Sequence, residues 1–285
     1  ARITQGYLDA FAWGIPAMLM IMALRGLTDG LGHTRVIMAF SVLGTLINLP
    51  LNYIFIYGKL GLPAMGGIGC GWATSISNGV AALALLIYLN RSAVYRRFHL
   101  LADWAKPDAA GIRYILRLGI PIGFTIFVEA SMFSVIALFL APLGPVIVAG
   151  HQIALNVVSL VFMLPLSIGM ALTLRVSFLV GAKAPDTARL IARSSLILAS
   201  AVALVFAVLL FVFAEGIAAL YTGEQDAQAV SVTLRVYAAF FQIADVIQVT
   251  CISALRGYKD TSIPMLIMLF SFWGVGLPLG WVLTF

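Results

Sequence analysis

The sequence predicts an all-α integral membrane protein, and three observations carry that reading. Of its 285 residues, 62% are hydrophobic and only 10% are charged, against about 25% charged in an ordinary soluble domain. The mean hydropathy is +1.06. The apolar residues gather in long runs, and the basic residues fall almost entirely in alternate breaks between those runs. A soluble domain of this length cannot bury so much apolar surface, and no polar low-complexity tract points to disorder. Runs of about 20 residues without strict alternation speak against a β-barrel.

Eight spans follow, separated by charges and by Gly/Pro breaks. The first covers 6–24 and contains Pro16. The second, 36–57, begins after Arg35 and contains Pro50. The third, 69–89, is introduced by Gly66-Gly67-Ile68-Gly69-Cys70-Gly71, small residues that allow close helix contact. The fourth, 118–140, opens on Gly119-Ile120-Pro121-Ile122-Gly123. Only the hairpin Pro142-Leu143-Gly144-Pro145 divides it from the fifth, 148–174, which holds Pro165. The sixth, seventh and eighth cover 194–214, 233–254 and 263–284, the last containing Pro278. Prolines at these places are expected to bend the helices.

Charge tests the count. The connections after spans 1, 3, 5 and 7 hold 14 of the 17 basic residues. The opposite side has Arg2, Lys59 and Arg235, and its loop at 215–231 is acidic through Glu215, Glu224 and Asp226. By the positive-inside rule the chain starts outside and its basic loops face the cytoplasm. The net charge of +6 therefore reports topology, and no nucleic-acid partner is expected. Cys70 and Cys251 are lone thiols in apolar stretches, too few for a disulfide framework or a zinc site. No HExxH, GxSxG, P-loop or dinucleotide-glycine pattern occurs, so the expectation is a non-enzyme without a cofactor. His33 and His99 lie in loops and His151 near the start of span 5; they have no metal-ligand spacing, and His151 reads as a helix-end or packing residue.

An internal repeat is visible. Ala23-Leu24-Arg25-Gly26-Leu27-Thr28-Asp29 recurs as Ala254-Leu255-Arg256-Gly257-Tyr258-Lys259-Asp260, and Leu49-Pro50-Leu51 recurs as Leu277-Pro278-Leu279. The copies lie six spans apart on the same side, which gives a parallel repeat about an axis along the membrane normal. Two six-span units make twelve helices. The chain is then expected to be a fragment lacking three spans in front and one behind. Residues 1–90 would be the last three helices of an N-terminal lobe, 91–117 a cytoplasmic inter-lobe loop, and 118–285 the first five helices of a C-terminal lobe.

Ionisable groups within spans are costly and default to function. Glu129 and Asp245 are the two acids at mid-span. No Lys or Arg occupies the middle of any span, so neither acid has an obvious intramembrane ion-pair partner. Such a carboxyl can take a proton, or hold Na⁺ or a cationic ligand. Gln242, Asp245 and Gln248 fall near one face at i, i+3 and i+6. Asn48 and Asn52 share a face of span 2, and Gln152 and Asn156 share a face of span 5. Amides can ligate Na⁺ or a substrate, or simply bond between helices.

The block Asn48-Leu49-Pro50-Leu51-Asn52-Tyr53-Ile54-Phe55-Ile56-Tyr57-Gly58 with Gly66-Gly67-Ile68-Gly69-Cys70-Gly71-Trp72-Ala73-Thr74 resembles the multidrug and toxic compound extrusion (MATE) family, in its bacterial NorM-like branch. Gly119-Ile120-Pro121-Ile122-Gly123, Glu129-Ala130-Ser131-Met132-Phe133 and Leu255-Arg256-Gly257-Tyr258-Lys259-Asp260-Thr261 resemble the same branch. The resemblance implies a monomeric, twelve-helix, multi-pass antiporter of the bacterial inner membrane. It would export cationic, aromatic drugs and dyes in exchange for Na⁺ or H⁺. It assigns cation coupling to Glu129, Asp245, Asn48 and Asn52, with Na⁺ a candidate ligand of the two acids. Substrate contact would involve Gln152, Asn156, Glu129 and Asp245. The family's acid on its first helix would lie in the segment expected to precede this sequence. Some relatives carry a tyrosine one turn before the span-7 acid, where this chain has Phe241, which leaves Na⁺ and H⁺ both open. A lipid-linked precursor flippase of similar architecture would want mid-span cations for pyrophosphate, and none are present. A membrane enzyme would need a polar catalytic set, also absent, and a purely structural protein would have no use for two buried acids.

Overall fold

The structure, a computed structural model, describes residues 2–61, 63–96, 98, 108–221 and 225–284, and no strand occurs among them. Among the described residues, seven helices are long and apolar enough to cross a bilayer, or eight when one bent pair counts as a single span. Outward-facing apolar side chains such as Leu160 and Ile197, each 71% exposed, suit a lipid surroundings rather than water. The chain divides into two compact units, Ala1–Lys106 and Pro107–Phe285. The division falls inside the connection expected at 91–117.

The first unit holds α1 (Arg2–Ala12), α2 (Ile15–Gly30), α3 (Thr34–Tyr57), α4 (Gly67–Arg91) and the short α5 (Ala93–Arg96). Span 1, expected as one helix, is broken: α1 and α2 meet at 44°. The cause is local. The Gly14 N–H turns to the Phe11 carbonyl at 2.9 Å, and Pro16 has no N–H to continue the ladder. The Ala10 carbonyl so released accepts from the Ser75 hydroxyl of α4 at 2.7 Å, which removes the penalty of an unpaired carbonyl in hydrocarbon. A Cβ on Gly14 would stand 2.8 Å from the Ser75 Cα, so this crossing needs glycine. Small residues bring α4 equally close to α3, where a Cβ on Gly69 would meet the Phe55 carbonyl carbon at 2.7 Å. Ile37, Leu85, Leu89 and Tyr95 form a core at the arginine-rich end of this unit.

The second unit holds α6 (Ala109–Leu140), a 3₁₀ turn (Ala141–Leu143), α7 (Pro145–Gly181), α8 (Pro185–Tyr221), α9 (Gln225–Gly257), α10 (Ser262–Leu269), a π turn (Phe270–Gly276) and α11 (Leu277–Thr284). Two expectations change. Residues 109–117 are helix, not loop, because the Asp108 carboxylate caps the Ala110 and Gly111 N–H groups at 3.1 and 2.9 Å. Most of the acidic loop at 215–231 is likewise helix, belonging to the ends of α8 and α9. Glu224 lies outside the described residues, as does the part of the 91–117 connection at 97 and 99–107. Apolar content marks where a helix meets lipid, whereas backbone hydrogen bonding continues into polar residues beyond it.

Helices α7 and α9 run side by side in the same direction. The Thr173 hydroxyl donates to the Ser253 carbonyl at 2.8 Å and the Ser177 hydroxyl to the Gly257 carbonyl at 3.3 Å. On α8 the alanine stripe Ala199, Ala203 and Ala207 is buried, and its first two members pack on Val246 of α9. In span 8 the Pro278 ring would strike the Gly274 carbonyl one turn earlier. The ladder there loosens into the π turn, with the Leu277 N–H reaching back to the Phe272 carbonyl.

Candidate functional site

Glu129 and Asp245 lie on α6 and α9 of the second unit, each half-buried. The two carboxylates are close enough to interact electrostatically. Neither makes an ion pair within 4.0 Å among the described residues. One turn away on both helices, Phe133 and Phe241 meet edge-on with ring centroids 6.4 Å apart. Since i and i+4 share a helix face, this aromatic contact lies directly above the acid pair. Beyond it opens a cavity of about 300 Å³, walled by Met132, Phe133, His151, Leu155, Phe241 and Phe272 among others. The π turn supplies Phe272, and the neighbouring Trp273 indole donates to the Ser131 hydroxyl at 3.3 Å. Span 8 is thus tied to the α6 segment that carries Glu129.

Neither acid gains an ion-pair partner among the described residues, as the absence of mid-span cations predicts, but one cation acts on Glu129 at longer range. Arg256, on the last turn of α9, is within electrostatic reach of Glu129. It is not a mid-span residue, but an arginine at a helix end can extend along its apolar stem. The α9 amides also separate from one another. Positions i, i+3 and i+6 spread over about 120° of helix surface. Gln242 is fully buried with both amide atoms unpartnered, while Asp245 and Gln248 lie half-buried beside it.

Gln152 and Asn156 lie exposed on α7. The α7 residues that line the cavity are His151, Ala154, Leu155 and Val158, and the helical register sets Gln152 and Asn156 about 100° or more around from that face. They share a face with each other but not with the α7 residues that line the cavity. His151 sits in the second turn of α7, and its Nε2 is buried without a hydrogen-bond partner.

In the first unit the Asn52 side-chain amide donates to Asn48 Oδ1 at 2.7 Å, and Asn48 donates to Ser77 Oγ at 3.2 Å. Ser77 passes the chain on to the Thr74 carbonyl at 3.0 Å. Asn52 Oδ1 remains buried and unpartnered. Asn48, Thr74, Ser77 and Asn78 line a second cavity of about 420 Å³. Pro50 lies between the two asparagines on α3. Among the described residues no three His, Cys, Asp or Glu side chains converge as a metal site, and both cysteines are free thiols.

A model of the MatE family matches residues 1–54 and 121–282. The chain belongs to the MatE family. Its similarity to the multidrug resistance protein PmpM of Pseudomonas aeruginosa is 45% identity over 97% of this chain and 58% of that protein. To the probable multidrug resistance protein NorM of Idiomarina loihiensis it is 42% identity, over 99% of this chain and 61% of that one. The MatE chain therefore spans about three fifths of the length of these relatives. It also superposes on an outward-facing multidrug resistance MATE transporter structure with a TM-score of 0.86 at 18% identity, covering 97% of this chain and 61% of the other. A MATE crystal structure in complex with MaL6 gives 0.85 at 20% identity, covering 98% and 62%. The likeness to the solved structures fixes the fold, and the family confirms the resemblance drawn from the sequence blocks.

Within this MatE chain, sequence reasoning overlooks Ser77, Arg256 and the aromatic cavity. Ser77 gives no periodic or mid-span signal. The cavity draws on four separate chain segments, and only packing reveals that they converge. Arg256 was open to detection, since it repeats Arg25 and ends a span that carries an acid.

Proposed function

We propose that the chain forms part of a multidrug efflux antiporter that exports cationic, aromatic compounds in exchange for Na⁺ or H⁺. One observation carries this reading: Glu129 and Asp245, without an ion pair, each lie one helical turn from the Phe133–Phe241 contact that walls a phenylalanine-lined cavity. Aromatic walls offer stacking to a planar ligand, and a carboxylate within reach attracts its charge. A coupling cation or a proton competes for the same acids. Binding of either then favours a different arrangement of the bundle. Asn48 and Asn52 would serve a second cation position, where the unpartnered Asn52 Oδ1 is a ready ligand oxygen. Gln152 and Asn156 would contact substrate from the exposed face of α7.

The protein acts here as a carrier in the bacterial inner membrane, without catalysis or a cofactor, and as a monomer. Its test is ethidium efflux from vesicles containing the complete gene product, with Na⁺ and pH gradients imposed separately. Glu129→Gln and Asp245→Asn are each expected to reduce gradient-driven efflux by about tenfold or more, the scale of losing one buried charge contact. Efflux unchanged in both variants would refute the mechanism.

A further inference from the structure

The two copies of the repeat end differently, and the difference concerns one arginine. In α2 the helix continues to Gly30, so Arg25 and Asp29 lie at i and i+4 on one face. They pair at 3.1 Å. In α9 the helix stops at Gly257, one residue past the matching arginine. The Asp260 N–H reaches back to the Leu255 carbonyl at 3.0 Å, and Lys259 takes the left-handed turn at φ 65°. Asp260 is thereby carried off the helix, and its Oδ1 accepts from the Ile263 N–H at the start of α10 at 3.3 Å. The acid that neutralises Arg25 in the first copy is committed to helix capping in the second.

Arg256 is left half-buried, with no ion pair among the described residues. It stands eleven residues from Asp245, about three full turns, and so on the same line of α9. That side of α9 also carries Phe241, one turn before Asp245, which meets α6 at Phe133. Asp245 and Arg256 therefore share one side of α9, and Glu129 on α6 acts electrostatically on both. A half-buried guanidinium without a local acid is drawn to the nearest negative charge.

We propose that Arg256 is the resident counter-cation of the Glu129–Asp245 pair, neutralising the vacant site and giving way when an exchanged cation binds. It acts through the carboxylates as a positioning residue. This inference rests on the carboxylates being the cation site. It adds that the protein carries its own competitor for them, released by the early end of α9.

The test is equilibrium binding of tetraphenylphosphonium to the purified complete gene product in detergent, together with ethidium efflux in vesicles. Arg256→Gln is expected to tighten binding by about three- to thirtyfold, because a competing positive charge is gone. Efflux should slow, because nothing assists release. Arg256→Lys should restore near-native affinity, whereas Arg25→Gln should leave affinity within about twofold. In a Glu129→Gln background, Arg256→Gln should no longer tighten binding, the non-additivity that marks a direct coupling. Should Arg256→Gln prove too unstable to purify, Arg256→Lys and the Glu129→Gln/Arg256→Gln protein still decide the matter. Unchanged or weaker binding in Arg256→Gln, or the same tightening with and without Glu129, would overturn the proposal. Loss of binding in Glu129→Gln alongside an inert Arg256→Gln would refute this inference while leaving the carboxylate site standing. Native binding in Glu129→Gln would remove both.

Discussion

Gly257 and Gly26 are the same residue of the repeated motif, yet alanine at the two positions should act in opposite directions. A Cβ on Gly257 would stand 2.7 Å from the Val176 Cβ and 3.1 Å from the Thr173 carbonyl oxygen. Val176 is fully buried, so neither neighbour can move aside without separating α9 from α7. Overpacking of this kind costs about 1–3 kcal/mol. It also stretches the bonds from Thr173 and Ser177 to α9, at 2.8 and 3.3 Å. A Cβ on Gly26 meets nothing within 4 Å, and alanine there gains up to about 1 kcal/mol of helix propensity. The two variants should thus differ by about 1–4 kcal/mol. At about 2–4 °C per kcal/mol for a chain of this size, that is a separation of several degrees in Tm, Gly257→Ala below the parent and Gly26→Ala at or above it. Thermal unfolding in detergent, followed by intrinsic fluorescence, measures both. Equal shifts, or a Gly257→Ala protein as stable as the parent, would show that the α7–α9 crossing is not as tight as the geometry requires.

Two further outcomes follow from single groups outside the spans. Replacing Asp108 by Ala removes the cap on the Ala110 and Gly111 N–H groups. This should destabilise the start of α6 by about 1 kcal/mol, seen as faster hydrogen exchange confined to residues 109–114. Tyr95 is 2% exposed and its hydroxyl has no hydrogen-bond partner; burial, and then the neighbouring Tyr88, push that hydroxyl above its usual range. The folded chain keeps this proton where the unfolded chain has begun to lose it. The contribution is therefore complete below about pH 10, an ordinary tyrosine value, and is lost as the pH climbs further. Tyr95→Phe should abolish that alkaline dependence and be neutral or stabilising by up to about 1 kcal/mol, since an unpaired buried hydroxyl is removed. Urea unfolding at pH 8 and pH 11 distinguishes these outcomes.

Much of the architecture was legible from residue order because lipid imposes a simple rule. Every backbone polar group must be satisfied within its own helix, so spanning segments announce themselves by length and apolarity. The Asn48–Asn52 contact was equally readable, since i and i+4 on one helix meet whatever surrounds them. The acids Glu129 and Asp245 stood out for the same reason: charge within apolar runs is rare enough to notice. Helix ends are less legible, as at 109–117 and 215–231, because capping and hydrogen bonding carry a helix past the apolar boundary.

Residue order alone determined the spans, the family and the two acids, because each of these is written in local composition. Packing decided the rest. The Ala10 carbonyl freed by the break in span 1 finds its partner in a hydroxyl 65 residues away, on Ser75. The aromatic cavity exists where four segments converge. The fates of Arg25 and Arg256 diverge although their motifs nearly coincide, because one helix runs on for a turn and the other stops. Contacts between distant parts of a chain depend on how helices turn and where they end, and a one-dimensional pattern holds neither quantity.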